Sequence, residues 1–240
     1  MTIDQPQKIE ILKLQNEAQT QFGKNLLHVL NGQRMYDLFA QQQLFRDGCY
    51  VPFNEAMCSH ETTVSIFSSA FQEVRAKGHH VSLSSYEATV LTPLKPFLTN
   101  EHDGIVLWFG DDMFCQINAL TVLAYLDQSA YTGDVLFYVL NDRTYEVVET
   151  LSLQPLGFAD IYRSVLLEHT FPTAKLPPFM QEGIRLYLHF IADNNELTDE
   201  IQRLSNLDDA QLLQHLLQTF PQYGLGDVQY QQLIRQIRRR

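Results

Sequence analysis

Residues 105–109, Ile-Val-Leu-Trp-Phe, are apolar at every position, and so is Val-Leu-Phe-Tyr-Val-Leu at 135–140. Short runs of this kind are buried on both faces, which requires a parallel sheet with helices packed on either side. Leu26-Leu-His-Val-Leu30 is a third such run and ends in the turn pair Asn31-Gly32. Cys49-Tyr-Val-Pro-Phe53 is a fourth; Pro52 lacks an amide donor, so this strand is expected at an edge or to stop there. Glu146 to Leu153 reads as a fifth.

Helical spacing fills the intervals. Val64, Phe67, Phe71 and Val74 form one face of a helix expected from Ser59 to Lys77, stopped by Gly78. A second is expected from Ser84 towards Phe97, distorted or ended early by Pro93 and Pro96. Met113, Ile117, Leu120 and Ala124 make the stripe of a third, and Gly157 to His169 gives a fourth. Strands alternating with helices define an α/β domain over residues 24–172, Rossmann-like and three-layered, with a mostly parallel sheet covered on both faces.

After Pro172 and the Pro177-Pro178 pair the strand signal disappears. Phe179–Ile191, Leu197–Leu204, Ala210–Phe220 and Val228–Arg238 all carry helical spacing, so residues 173–240 form an all-helical region packed on the first. Residues 1–23 are expected to be a helical or mobile arm, with Ile9, Ile11, Leu12, Leu14 and Phe22 among many glutamines.

Charge limits the partners. The 240 residues carry a formal charge of −11. Four arginines lie in the last six residues; without them the balance is 13 basic against 28 acidic groups, or −15. A chain this acidic is a poor partner for nucleic acid or an anionic membrane surface, and the basic end reads as a solvated tail. The three cysteines, Cys49, Cys58 and Cys115, form no disulfide framework or C-x-x-C pair, which suits a reducing compartment. No basic segment followed by an apolar core opens the chain, and the longest apolar runs are about six residues against roughly 20 for a membrane span. The expectation is a soluble, cytoplasmic protein of no specified oligomeric state.

Candidate chemistry lies at the strand exits, where open α/β sheets bind ligands. Asp111 and Asp112 follow the strand at 105–109, immediately before a helix. One aspartate there serves as an N-cap, a role assigned to Asp112. Two caps are not needed, so Asp111 is expected to face a shared cleft with Glu55, Asn31, Gly32 and Gln116. Such an acidic and amide-lined cleft suits a divalent cation held by Asp111, Asp112 or Glu55, a hydroxyl-rich ligand, or a metal–nucleotide complex, rather than a bare phosphate. Phosphate-loop, dinucleotide, nucleophile-elbow and zinc-protease motifs are absent. His79-His80 reads as a solvated turn, His28 as a hydrogen-bonded core histidine, and Cys115 and Trp108 as packing.

Together, His28-Val-Leu-Asn31-Gly32, Val51-Pro-Phe-Asn-Glu55 and Leu107-Trp-Phe109 with Asp112 and Gln116 resemble the family built on the bacterial domain of unknown function 1835 (DUF1835). His215-Leu-Leu-Gln-Thr-Phe-Pro221 and Gly224-Leu225 are similar to that family's closing element. The chain departs from the pattern at Gln33, Asp111 and Cys115, where the family commonly has Asp, His and Asp. The resemblance implies an α/β domain with a helical tail and assigns no activity. Two functions are therefore expected in order: binding of a small polar or nucleotide-like metabolite, with or without catalysis, then regulation through a helix-turn-helix-like pair at Leu212–Phe220 and Val228–Arg238. Against the second, the intervening turn is long and the second helix opens with Asp227.

Overall fold

The computed structural model describes residues 3–99, 101–141 and 144–239. Five strands form one sheet: β1 (Leu26–Leu30), β2 (Cys49–Pro52), β3 (Gly104–Gly110), β4 (Val135–Leu140) and β5 (Val147–Leu153). Their spatial order is β2-β1-β3-β4-β5, parallel throughout except for β5, which runs antiparallel to β4. Pro52 ends β2, the edge strand, where its missing amide costs no ladder bond.

Alternate strand residues enter different cores. Leu26, Leu30, Val106, Trp108, Leu136, Tyr138 and Leu140 point to one face, covered by α1 (Gln5–Phe22) and α2 (Gln33–Gln41). Leu27, Val29, Ile105, Leu107, Phe109, Phe137 and Val139 point to the other, under α3 (Ser69–Gly78), α4 (Leu83–Tyr86), α5 (Thr92–Leu98), α6 (Met113–Gln128) and α7 (Phe158–Tyr162). The architecture is thus the three-layered α/β sheet that the apolar runs imply. Trp108 and His28 are fully buried on the α1/α2 side, and Trp108 Nε1–H donates to His28 Nδ1 at 3.1 Å.

The amino-terminal segment is a docked helix. Asp4 and Gln7 cap it reciprocally, Ile11, Gln15 and Ala18 are buried, and Tyr138 donates its hydroxyl proton to the Leu14 carbonyl.

One helix differs from the sequence reading, and a second is distorted near its prolines as expected. The one expected from Ser59 starts only at Ser69, with Ser68 as its cap and Phe67 left-handed at φ 59°. The cause is Arg75. Its guanidinium donates to the carbonyls of Ala56, Ser59, His60 and Glu61, so that stretch has its acceptors satisfied by a side chain instead of helix amides. The Ser84–Phe97 helix runs on to Leu98, because a π turn at Glu87–Leu91 precedes Pro93. Pro93 offers no N–H to the Thr89 carbonyl four residues back, and Asn54 Nδ2 donates to it at 3.1 Å.

The carboxy-terminal helices are α8 (Pro178–Phe190), α9 (Glu196–Arg203), α10 (Asp209–Thr219) and α11 (Asp227–Arg238). Their apolar faces enter the same core as the sheet and α6. Gly183 of α8 lies against Gln116, where a Cβ would sit only 2.6 Å from the glutamine's own Cβ, so glycine is what lets α8 and α6 pack this closely. Among the described residues no helix is long and apolar enough to cross a membrane.

Candidate functional site

The chain passes from β1 outward to β2, then returns to place β3 on the other side of β1. Loops leaving the carboxyl ends of β1 and β3 therefore diverge and leave a crevice between them. A cleft of about 840 Å3 occupies this position. Its floor is Asn31, Gly32, Asp111 and Asp112, and its far wall is the turn from Phe220 to Asp227 together with Glu182 and Leu186 of α8.

Each floor residue is placed by its strand exit. Gly32 is left-handed at φ 87° and precedes α2 with no side chain capping that helix. Asn31 Nδ2 donates to Cys115 Sγ at 2.8 Å, and its Oδ1 accepts from Asn118 Nδ2 at 3.1 Å. Asp111 is exposed on the cleft, with its backbone amide bound to the Leu140 carbonyl. Asp112 is buried and caps α6, accepting the Cys115 amide at 2.8 Å.

The last turn of the chain roofs this cap. A Cβ on Gly224 would lie 1.9 Å from Asp112 Oδ1, and Gly224 itself is left-handed at φ 62°. Asp112→Ala is expected to cost about 0.5–2 kcal/mol as a lost cap, read from urea unfolding. An unchanged midpoint would remove the capping role.

Gln116 and Glu55 do not join the cleft. Gln116 is fully buried; its Nε2 donates to the Gly110 carbonyl at 2.5 Å, pinning the end of β3 beneath α8. Glu55 is buried in a knot with Arg75 and His79. Arg75 Nε reaches Glu55 Oε2 at 2.6 Å, and His79 Nε2 lies 2.6 Å from Oε1. Burial pushes the Glu55 carboxyl up, but the His79 hydrogen bond and the Arg75 charge outweigh it and hold the group below the usual carboxylate range.

His79 is thus the partner of a buried carboxylate, and the solvated-turn reading holds only for its exposed neighbour His80. A three-carboxylate metal centre at Asp111, Asp112 and Glu55 is not formed: among the described residues no three His, Cys, Asp or Glu side chains gather to hold a metal.

Sequence reasoning missed two organising residues. Asn118 is fully buried in α6; it donates to Asn31 and to the Glu55 carbonyl and accepts the Met57 amide at 2.9 Å, tying two strand exits together. The signal was an amide set inside an otherwise apolar helix, which needs partners once buried. Arg75 follows Phe71 by one helical turn on the buried face, a position where an arginine must be fully paired. The acids Glu182 and Asp227 on the far wall had no such signal. With Asp111, Asp112 and Arg34 they give the lining a formal charge of 1 − 4 = −3.

Compared with protein-family models, with curated proteins and with solved structures, the chain matches none of them.

Proposed function

We propose that the protein binds a small hydroxyl-rich or nucleotide-like metabolite in the switch-point cleft. The observation that carries this reading is the position of the cleft, outside the carboxyl ends of β1 and β3 where the strand order reverses. Its volume falls within the roughly 300–1,000 Å3 typical of small-molecule sites. Formal charge favours donors on the ligand: hydroxyls, amines, or a divalent cation that arrives with a nucleotide. Asp111 and Asn31 are the contacts best placed to accept and orient them.

Kinship with the DUF1835 family belongs to the same proposal. What supports it is that Asn31-Gly32 and Leu107-Trp-Phe109 with Asp112 lie at adjoining strand exits. Regulation through a helix-turn-helix has less support. Tyr230, Ile234 and Ile237 of α11 are buried in the core, and Arg238 binds Asp209 and the Leu207 carbonyl, which uses part of the basic tail internally.

Thermal-shift measurements with nucleosides, nucleotides and sugars, with and without Mg2+, test the reading. A ligand at about 100 times its dissociation constant adds about 2.7 kcal/mol of stability. Asp111→Asn is expected to leave the unliganded protein nearly as stable, since Asp111 is exposed, and to weaken that stabilisation. If nothing in the panel stabilises the protein, or Asp111→Asn leaves every stabilisation intact, the cleft is not the site.

A further inference from the structure

A second cavity, of about 490 Å3, lies beside the cleft and shares Gly32, Gln33 and Phe114 with it. Its remaining wall is largely apolar, with Phe53, Ala56, Ala88 and Pro93 among its residues. Glu55 and His79 stand together in that wall. No lysine or arginine lines this cavity among the described residues, so it offers nothing to balance a phosphate.

His79 is held as a proton acceptor would be. Two groups meet Nε2, the ionised Glu55 carboxylate at 2.6 Å and Arg75 Nη2 at 3.3 Å; the shorter, charge-assisted contact needs a donor, which puts the neutral ring's proton on Nε2 and leaves a lone pair on Nδ1. Nδ1 makes no hydrogen bond among the described residues, and the side chain is 26% exposed. Tyr86 lies nearly parallel to the ring at 6.4 Å and His60 stands edge-on at 4.9 Å, so the imidazole plane is fixed. Arg75 anchors the other Glu55 oxygen at 2.6 Å, which fixes the carboxylate in turn. A carboxylate behind an imidazole sets its tautomer and stabilises the imidazolium that forms when it accepts a proton.

We infer that His79 is a general base in this cavity, positioned by Glu55 and Arg75, and that it serves hydrolysis of a small neutral ester with an apolar acyl group. Nδ1 takes a proton from water as the water oxygen bonds to the ester carbonyl carbon. The bond from that carbon to the alcohol oxygen then breaks, and Nδ1 returns the proton to the departing oxygen. Acid and alcohol leave, and the imidazole is restored without any co-reactant. Glu55 touches no reacting atom and is a positioning residue. The inference goes beyond ligand binding in the cleft and does not depend on it.

The test is hydrolysis of 4-nitrophenyl acetate, butyrate and hexanoate by the full chain between pH 5 and 9. Removing a positioned base costs about 10²-fold or more, so His79→Gln is expected to lose that much rate. Glutamine can still donate to Glu55, which preserves the fold. His80→Asn, which alters the exposed left-handed neighbour at φ 58°, is expected to keep the activity.

The groups facing His79 are Glu55, Arg75, His60 and Tyr86, with His80 adjacent. Glu55→Gln removes the only anion among them, so the pH–rate profile is expected to change shape, whereas simple loss of folded protein would only scale it. If Glu55→Gln does not fold, the His79→Gln comparison decides alone. A wild-type rate no greater than that of free imidazole at equal concentration, or a rate unchanged in His79→Gln, overturns the inference. Either result leaves the nucleotide and sugar measurements on Asp111 untouched.

Discussion

Arg75→Met is expected to remove about 3–5 kcal/mol of stability, the cost of leaving the partner of a buried ion pair alone. Both side chains are fully buried, so Glu55 would keep its charge with only His79 to answer it, or would have to take up a proton. The same substitution strips the carbonyls of Ala56, Ser59, His60 and Glu61 of their donor, so the loop at 56–61 should loosen as well. The measurement is the urea midpoint at constant slope. Glu55→Gln combined with Arg75→Met should cost clearly less than the two single changes added, because the double variant buries no lone charge. Strict additivity, or a loss below about 1 kcal/mol for Arg75→Met, would show that the pair does not hold this loop.

Acid should weaken the fold well before its carboxylates protonate. Burial lowers His28 from the ordinary value of 6.5 to about 3. A group depressed in the folded state binds its proton only after unfolding. Stability is therefore full above pH 6.5 and falls as pH drops towards the folded value. The slope is about 1.4 kcal/mol per pH unit for one proton, so roughly 3 kcal/mol is lost between pH 6.5 and 4.5 from His28 alone.

Glu55 acts in a lower window. Its folded value is depressed, so its contribution is present above about 4.3 and disappears as pH falls through the folded value. His28→Gln keeps an acceptor for the Trp108 indole N–H and does not titrate, so it should flatten the upper window. Unfolding curves at pH 7, 5.5 and 4.5 that show the same decline in His28→Gln as in the wild type would place the acid sensitivity elsewhere.

The sheet was legible because burial on both faces leaves a compositional mark. Ile105–Phe109 and Val135–Leu140 have no polar residue to spare, and Pro52 betrays the edge. The four carboxy-terminal helices were legible to within about one residue at their ends, since apolar spacing agrees there with caps such as Asn195 and Asp208. The helix expected over 59–68 was not there. Its apolar spacing is real, but Arg75 supplies the donors that the backbone carbonyls there take, and no local pattern reveals a guanidinium folding back over sixteen residues.

The same limit governs the site. Asn31, Gly32, Asp111 and Asp112 could be placed from strand exits alone. Glu55 occupies the corresponding exit, yet Arg75 and His79 claim its carboxylate from twenty residues and more away. Glu182 and Asp227 face the cleft only because the helical region folds back across it.

That return has a consequence for how the chain is made. Asp112 starts the central helix α6, and the turn that closes over its carboxylate contains Gly224, synthesised more than a hundred residues later. α6 and the last helices share one apolar interior, so a nascent chain emerging in order has the outer side of α6 uncovered until the helices after Pro178 arrive. Exposed apolar surface of this kind favours aggregation, so chaperone demand is expected to track the second half of translation rather than the first.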